Sequence, residues 1–321
     1  MTKEGELVVP LVIILFALFA SLFTLSKTAL EFSEPFFLIG SRMTLAGILL
    51  ISHQFFFNRA AFKIKSAHIL PLIILGLVSI YITNIAEIWG IQYMSSAKAC
   101  LIYSLSPFIA ALFAYWLLNE RLSPKKWIGL CVGFVGLTPI LFTHSSSSEL
   151  AKDLLFFSWP ELALVTAVFA SVYGWILLKK IISEYHYTPI MANGISMLVG
   201  GLLALTHSYL SGENWAPLPI IGGKYGAFLE CALWMTLISN VVCYNLYGYL
   251  LKRFSATFMS LAGLVTPLFA SLFGWYFLDE VISWHFFASM VLFSIGLALF
   301  YQEELTNNFS TDIENSKLDA A

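Results

Sequence analysis

Three ionisable side chains stand where apolar sequence makes them costly: Arg42, Glu87 and Lys98, each inside a long hydrophobic run. An isolated charge in hydrocarbon costs roughly 2.5–3.5 kcal/mol even on the gentler insertion scale, so such groups pair with one another or meet a charged ligand. Together they carry a net +1, which leaves a cation to meet an anionic group such as a substrate carboxylate and makes Glu87 the candidate to carry a proton. Asn84 lies three residues before Glu87 and shares its helix face. Asn193, Asn240 and Asn245 are further amides in apolar runs, able to donate and accept at once. Tyr103 and Tyr244 fall near run centres, as do Tyr81, Trp175, Trp234 and Tyr247, where a ring either packs or stacks on a planar or cationic ligand. The competing roles are structural: an internal ion pair, a Lys98 that snorkels to the headgroups, and interhelical hydrogen bonds for the amides. No HExxH, GxSxG or GxxxxGK[ST] motif occurs, so catalytic residues, a metal, a bound cofactor and ATP as driver are not expected.

The elements that position these groups are membrane helices. The chain has 321 residues, 59% hydrophobic and only 11% charged, with a mean hydropathy of +0.82, far above the apolar share of a water-soluble domain. Counting runs of about 20 residues, enough to cross ~30 Å of hydrocarbon, predicts ten transmembrane helices over 7–26, 35–57, 69–91, 95–118, 125–143, 159–180, 189–210, 225–250, 255–278 and 283–301. The expected class is all-α, since a membrane barrel would alternate polarity in segments of about ten residues. The first run is expected to remain as a helix rather than be cleaved. Arg42 then sits about seven residues into the second span, ~10 Å deep, and Glu87 and Lys98 about one turn from the same face.

The chain reads as two copies of one unit. With a shift of 160, nine of the 29 positions from Ser95 to Ser123 recur, among them Pro107 on Pro267 and Glu120 on Glu280. Pro35, Gly40, Met43 and Gly47 fall on Pro189, Gly194, Met197 and Gly201 with a shift of 154, and Asn84 on Asn240 with a shift of 156. The halves are expected over 7–143 and 159–301, joined by a linker over 144–158, with a disordered cytoplasmic tail over 302–321. Twelve of the seventeen Lys and Arg residues lie in loops on the side of the N-terminus, which places both termini in the cytoplasm of an inner, multi-pass membrane protein. The loop after Glu120 carries Arg121, Lys125 and Lys126, whereas the loop after Glu280 carries no basic residue up to Trp284. A five-helix unit is odd in number, so its second copy enters the membrane upside down. Inverted repeats of this kind are a transporter architecture.

Pro107 and Pro267 are expected to kink their helices and free a carbonyl, as gates or as packing features. Glu120 and Glu280 close helices at an end whose dipole disfavours a carboxylate, which assigns them to structure or gating. Gly129, Gly133 and Gly136 make a close-packing face, internal to the fold or used in a homodimer.

The tracts Tyr93-Met94-Ser95-Ser96-Ala97, Ser104-Leu105-Ser106-Pro107 and Leu118-Asn119-Glu120-Arg121-Leu122-Ser123-Pro124, with Thr266-Pro267 and Leu278-Asp279-Glu280 in the second copy, resemble the drug/metabolite transporter superfamily in its ten-helix EamA-type branch. Asn119 and Asp279 stand where many members have Gly, and Lys98 where a small or apolar residue is usual. The resemblance implies a secondary transporter that moves a small organic metabolite by alternating access, with a proton or a counter-metabolite as coupling partner, a lipid bilayer as surroundings, and no nucleic acid. Export of amino acids or drugs is the broad expectation. Uptake or exchange of a nucleoside-like zwitterion such as S-adenosylmethionine is the alternative that Arg42, Glu87, Lys98 and the central tyrosines favour. An intramembrane enzyme or a channel is the reading from another class.

Overall fold

The computed structural model describes residues 3–59, 62, 64–93, 99, 102–118, 122–143, 158–278, 284 and 287–302. Lys98, Glu120, Glu280, the linker up to residue 157 and the tail beyond 302 lie outside the described residues. The described chain is helical, and its one β-type contact is the isolated bridge between Ser33 and Ile220. Helices run as α1 (Lys3–Leu30), α2 (Pro35–Phe57), α3 (Ser66–Ile91), α4 (Ser106–Leu118), α5 (Pro124–Thr143), α6 (Trp159–Ser183), α7 (Pro189–Leu210), α8 (Tyr225–Leu250), α9 (Ala256–Ala262), α10 (Thr266–Leu278) and α11 (Phe287–Gln302). Among the described residues, α2, α3, α6, α7 and α8 are long and apolar enough to cross a membrane.

Local chemistry sets the starts. Pro35, Pro160 and Pro189 occupy the first turns of α2, α6 and α7, where a missing N–H costs nothing and the fixed φ is already helical. Ser158 and Glu161 close a capping box on α6, and the Thr188 hydroxyl accepts from Met191 N at 3.2 Å on α7. The two repeat prolines also begin helices. The chain leaves helical geometry at Ser104 and Leu105, and Pro107 lies in the first turn of α4. In the second copy a 3-10 turn over Gly263–Val265 precedes α10, whose second residue is Pro267. Each break lies two to four residues ahead of its proline, where the ring and the missing N–H deny the carbonyl of residue i−4 its helical partner.

Hydropathy gives no hint of two wide turns. Gly76–Ile82 in α3 and Thr236–Cys243 in α8 are π-helical, so a carbonyl there loses its usual i+4 partner. Polar side chains supply donors instead: Thr83 Oγ1 to Val78 O at 2.9 Å, Asn84 Nδ2 to Ile80 O at 2.7 Å, and Asn245 Nδ2 to Val241 O at 2.8 Å.

α2 and α7 pack backbone to backbone. A Cβ at Gly40 would lie 2.7 Å from Leu205 N, and one at Gly47 2.6 Å from Leu198 N. On the facing helix, a Cβ at Gly201 would lie 2.5 Å from Thr44 N, and Gly194 abuts Leu50 and Ile51. The shift of 154 that aligns the glycines carries Leu198 onto Thr44 and Leu205 onto Ile51, so the crossing repeats itself as a pseudo-twofold pair. The helices are antiparallel. Phe36, at the start of α2, meets Glu213 beyond the end of α7, whereas Gln54, near the end of α2, accepts from Thr188 Oγ1 at 3.1 Å before α7 begins. α5 and α11 cross in the same manner: a Cβ at Gly136 would lie 2.8 Å from Phe293 N and one at Gly296 2.5 Å from Gly133 N. Gly129, Gly133 and Gly136 therefore pack inside the chain, against α11 and Leu261.

Glu213 makes the principal polar clamp at one end of this seam. Its carboxylate accepts from Phe36 N at 2.8 Å and Phe37 N at 2.9 Å, and Ser208 Oγ, itself the acceptor for Trp215 Nε1 at 3.0 Å, donates to it. It caps the positive end of α2 from across the bundle. Glu213→Ala is expected to cost about 1–2 kcal/mol, the range for a lost helix cap, seen as a lower melting temperature in detergent with transport retained. An unchanged melting temperature would remove the clamp from the account.

Candidate functional site

The wide turn of α3 delivers Asn84 and Glu87 to one face, and that of α8 delivers Tyr244. They converge with Arg42 of α2. Arg42 is within electrostatic reach of both Glu87 and Tyr244, the Asn84 side chain lies beside that of Tyr244, and the Tyr103 hydroxyl faces the Glu87 carboxylate. Arg42, Asn84, Glu87, Tyr103 and Tyr244 are all half-buried. Four separate elements of the bundle thus contribute polar atoms to one locus, of opposite formal charge at Arg42 and Glu87. The buried Nε of Arg42 has no acceptor among the described residues. A buried guanidinium N–H left without an acceptor is costly. It is the atom of this cluster best placed to donate a hydrogen bond to a carboxylate oxygen.

Aromatic rings form the adjoining wall. Trp175 stacks on Tyr247 with ring centroids 3.9 Å apart and lies 5.2 Å from the Tyr244 ring, while Phe19 and Phe16 meet Tyr244 and Tyr247 edge-on at 6.3 Å. Tyr244 belongs to both sets, its ring among the aromatics and its hydroxyl among the polar groups. Such a site offers opposite charges at one end and π-faces at the other.

The remaining candidates take other places. Asn193 is 2% exposed, and Nδ2 donates to Tyr244 O at 3.0 Å and to Asn245 Oδ1 at 3.1 Å. Asn240 is fully buried, its Nδ2 2.8 Å from the Met43 sulfur, and its Oδ1 has no donor among the described residues. Tyr81 hydrogen-bonds His207 at 3.0 Å, and Trp234 is 52% exposed on the outside of the bundle. Lys98 falls outside the described residues, as do Glu120 and Glu280. Pro107 is buried near the start of α4, and Pro267 is half-buried near the start of α10. Sequence reasoning missed the two π turns and the Glu213 clamp. Neither had a signal in hydropathy: the turns differ only in which carbonyl each N–H reaches, and the clamp joins residues 177 apart.

Comparison with known proteins bears on this arrangement. The family model of the EamA-like transporter family matches residues 7–142 and 158–302. A curated relative from Chlamydia muridarum, named S-adenosylmethionine/S-adenosylhomocysteine transporter, is 38% identical over 298 residues, covering 91% of this chain and 91% of its own. A relative of the same name from Chlamydia trachomatis serovar L2 is 37% identical over 298 residues, covering 91% and 88%. The uncharacterized inner membrane transporter YedA of Escherichia coli K12 is 24% identical over 272 residues, covering 81% and 79%. A solved crystal structure shares the fold with a TM-score of 0.75 at 14% identity, covering 94% of this chain and 98% of that one.

Proposed function

The chain belongs to the EamA-like transporter family, a family of membrane transporters rather than enzymes, and from that premise we propose that it carries S-adenosylmethionine, in exchange for S-adenosylhomocysteine, across the cytoplasmic membrane. The relatives that share 37–38% of their residues with it over nearly their whole length bear that substrate pair in their names. The observation that carries the reading is the unpartnered Nε of Arg42, a residue within electrostatic reach of Glu87, beside an aromatic wall. S-adenosylmethionine is a zwitterionic amino acid joined through a sulfonium to adenosine. Arg42 would hold the carboxylate and Glu87 the α-ammonium. Tyr244 and Trp175 would receive the adenine or the sulfonium on their ring faces. Tyr103 and Asn84 keep the Glu87 carboxylate and the Tyr244 phenol in place.

Exchange implies alternating access, and the antiparallel α2–α7 and α5–α11 pairs support two inverted five-helix halves, over 7–143 and 159–301, rocking about the site. On this reading the termini are cytoplasmic, Pro107 and Pro267 mark the break points of the moving helices, and Lys98, outside the described residues, is a second candidate cation for the substrate. A proton carried on Glu87 is the alternative coupling. Export of amino acids or drugs is the runner-up, favoured by the breadth of the family.

The test is uptake of radiolabelled S-adenosylmethionine by whole cells that express the chain. Unlabelled S-adenosylmethionine and S-adenosylhomocysteine are expected to suppress it at micromolar excess, whereas methionine, adenosine, tryptophan and a cationic dye leave it unchanged. Preloading with S-adenosylhomocysteine is expected to speed entry. No uptake above vector cells, from protein shown to be in the membrane, would refute the substrate.

A further inference from the structure

Asn193 lies in α7 with 2% of its surface exposed. Its amide crosses to α8 at the residue where the π turn Thr236–Cys243 gives way to ordinary α-helix. Nδ2 donates to Tyr244 O and to Asn245 Oδ1, and Asn245 Nδ2 passes the link on to Val241 O at 2.8 Å and Asn240 O at 3.4 Å. Both amides thus serve carbonyls in and just beyond the one stretch of α8 whose wide register leaves carbonyls short of donors. Without such donors a π turn is less stable than α-helix, and its closure would rotate the residue that follows it by about 100°, one residue's step around a helix. That residue is Tyr244, whose ring is 5.2 Å from Trp175 and whose hydroxyl faces Arg42, Glu87 and Asn84.

We propose that Asn193 is a positioning residue for substrate recognition: through Asn245 it holds the π turn of α8 open and so keeps Tyr244 turned into the site. The second helix of one half thereby sets the affinity of a group on the next, without touching ligand. A buried amide used only to glue α7 to α8 would affect stability and nothing specific to Tyr244. The assignment rests on the site proposed above, and the experiment separates the two.

The full-length protein is purified in detergent, and binding of radiolabelled S-adenosylmethionine is measured for wild type, Asn193→Leu, Tyr244→Ala and the double variant, with flux in proteoliposomes alongside. Asn193→Leu is expected to raise Kd about tenfold, the scale of one or two lost hydrogen bonds, while flux at saturating substrate stays within about twofold of wild type. The double variant is expected to bind no more weakly than Tyr244→Ala alone, since with the ring removed there is nothing left to position. Asn193→Ser, smaller and still able to donate once, is expected to fall between wild type and Asn193→Leu, and it stands in if the leucine variant does not fold. Multiplying losses in the double variant, or an unchanged Kd in both Asn193 variants while Tyr244→Ala binds weakly, would overturn the positioning role alone. Unchanged binding in Tyr244→Ala would overturn the site and this role together.

Discussion

Arg42→Ala is expected to reduce S-adenosylmethionine uptake to the level of vector cells, a loss of at least ~100-fold, or about 2.7 kcal/mol in recognition. The side chain is half-buried between Glu87 and Tyr244, and truncating one member of a desolvated charge pair costs roughly 2–5 kcal/mol, partly because the other charge is left behind. Glu87→Gln is expected to lose transport to a similar degree, because an amide neither balances the guanidinium nor holds an ammonium ion. Loss of function through misfolding gives the same uptake, so the deciding comparison is Arg42→Met with Glu87→Leu together. Removing both charges relieves the burial cost. The double variant is therefore expected to reach the membrane and melt at least as high as Arg42→Ala, yet still not transport. Full uptake in both single variants would eliminate the cluster as the binding site.

Gly47→Val is expected to leave no folded transporter. Its Cβ would meet Leu198 N at 2.6 Å and Gly194 O at 2.9 Å, backbone atoms of α7 that cannot turn aside as a side chain would. α2 and α7 would have to separate along the seam that the Glu213 clamp and the Gln54–Thr188 bond hold at its two ends. Overpacking of this kind costs ~3 kcal/mol or more, a large share of the stability of a folded domain. Size-exclusion chromatography of a fluorescent fusion is expected to show aggregate in place of a monodisperse peak. Gly201→Val is expected to do the same from the partner helix. Gly226→Ala, with nothing within 4 Å of its added methyl, is expected to leave the peak intact. A monodisperse Gly47→Val would mean that the helices have more freedom than their packing implies.

How much of this was legible beforehand depends on the kind of force involved. Apolar length marks α2, α7 and α8 within a few residues of their observed ends, helped in α2 and α7 by a proline at the first turn, since the bilayer fixes how much hydrocarbon a span must match. Arg42, Asn84 and Glu87 stand out because a polar group in an apolar run must find a partner. The same rule does not say which partner. Asn193 and Asn240 carry the same signal as Asn84, but one serves the backbone of α8 and the other two methionine sulfurs. The breaks at Ser104-Leu105 and Gly263–Val265 sit inside runs that read as continuous, because hydropathy records where a residue prefers to be and not which carbonyl its N–H reaches. The π turns escape for the same reason.

The seam between α2 and α7 also imposes an order on biogenesis. Each of the two helices comes from a different half of the sequence, and residues 58 to 188 must be made between them. Until α7 leaves the ribosome, the glycine face of α2 has lipid where it will later have backbone, the start of α2 lacks its Glu213 cap, and Arg42 lies beside Glu87 without Tyr244. A membrane insertase or chaperone that shelters polar helix faces would meet the need of that interval. Only when α7 arrives does the seam close.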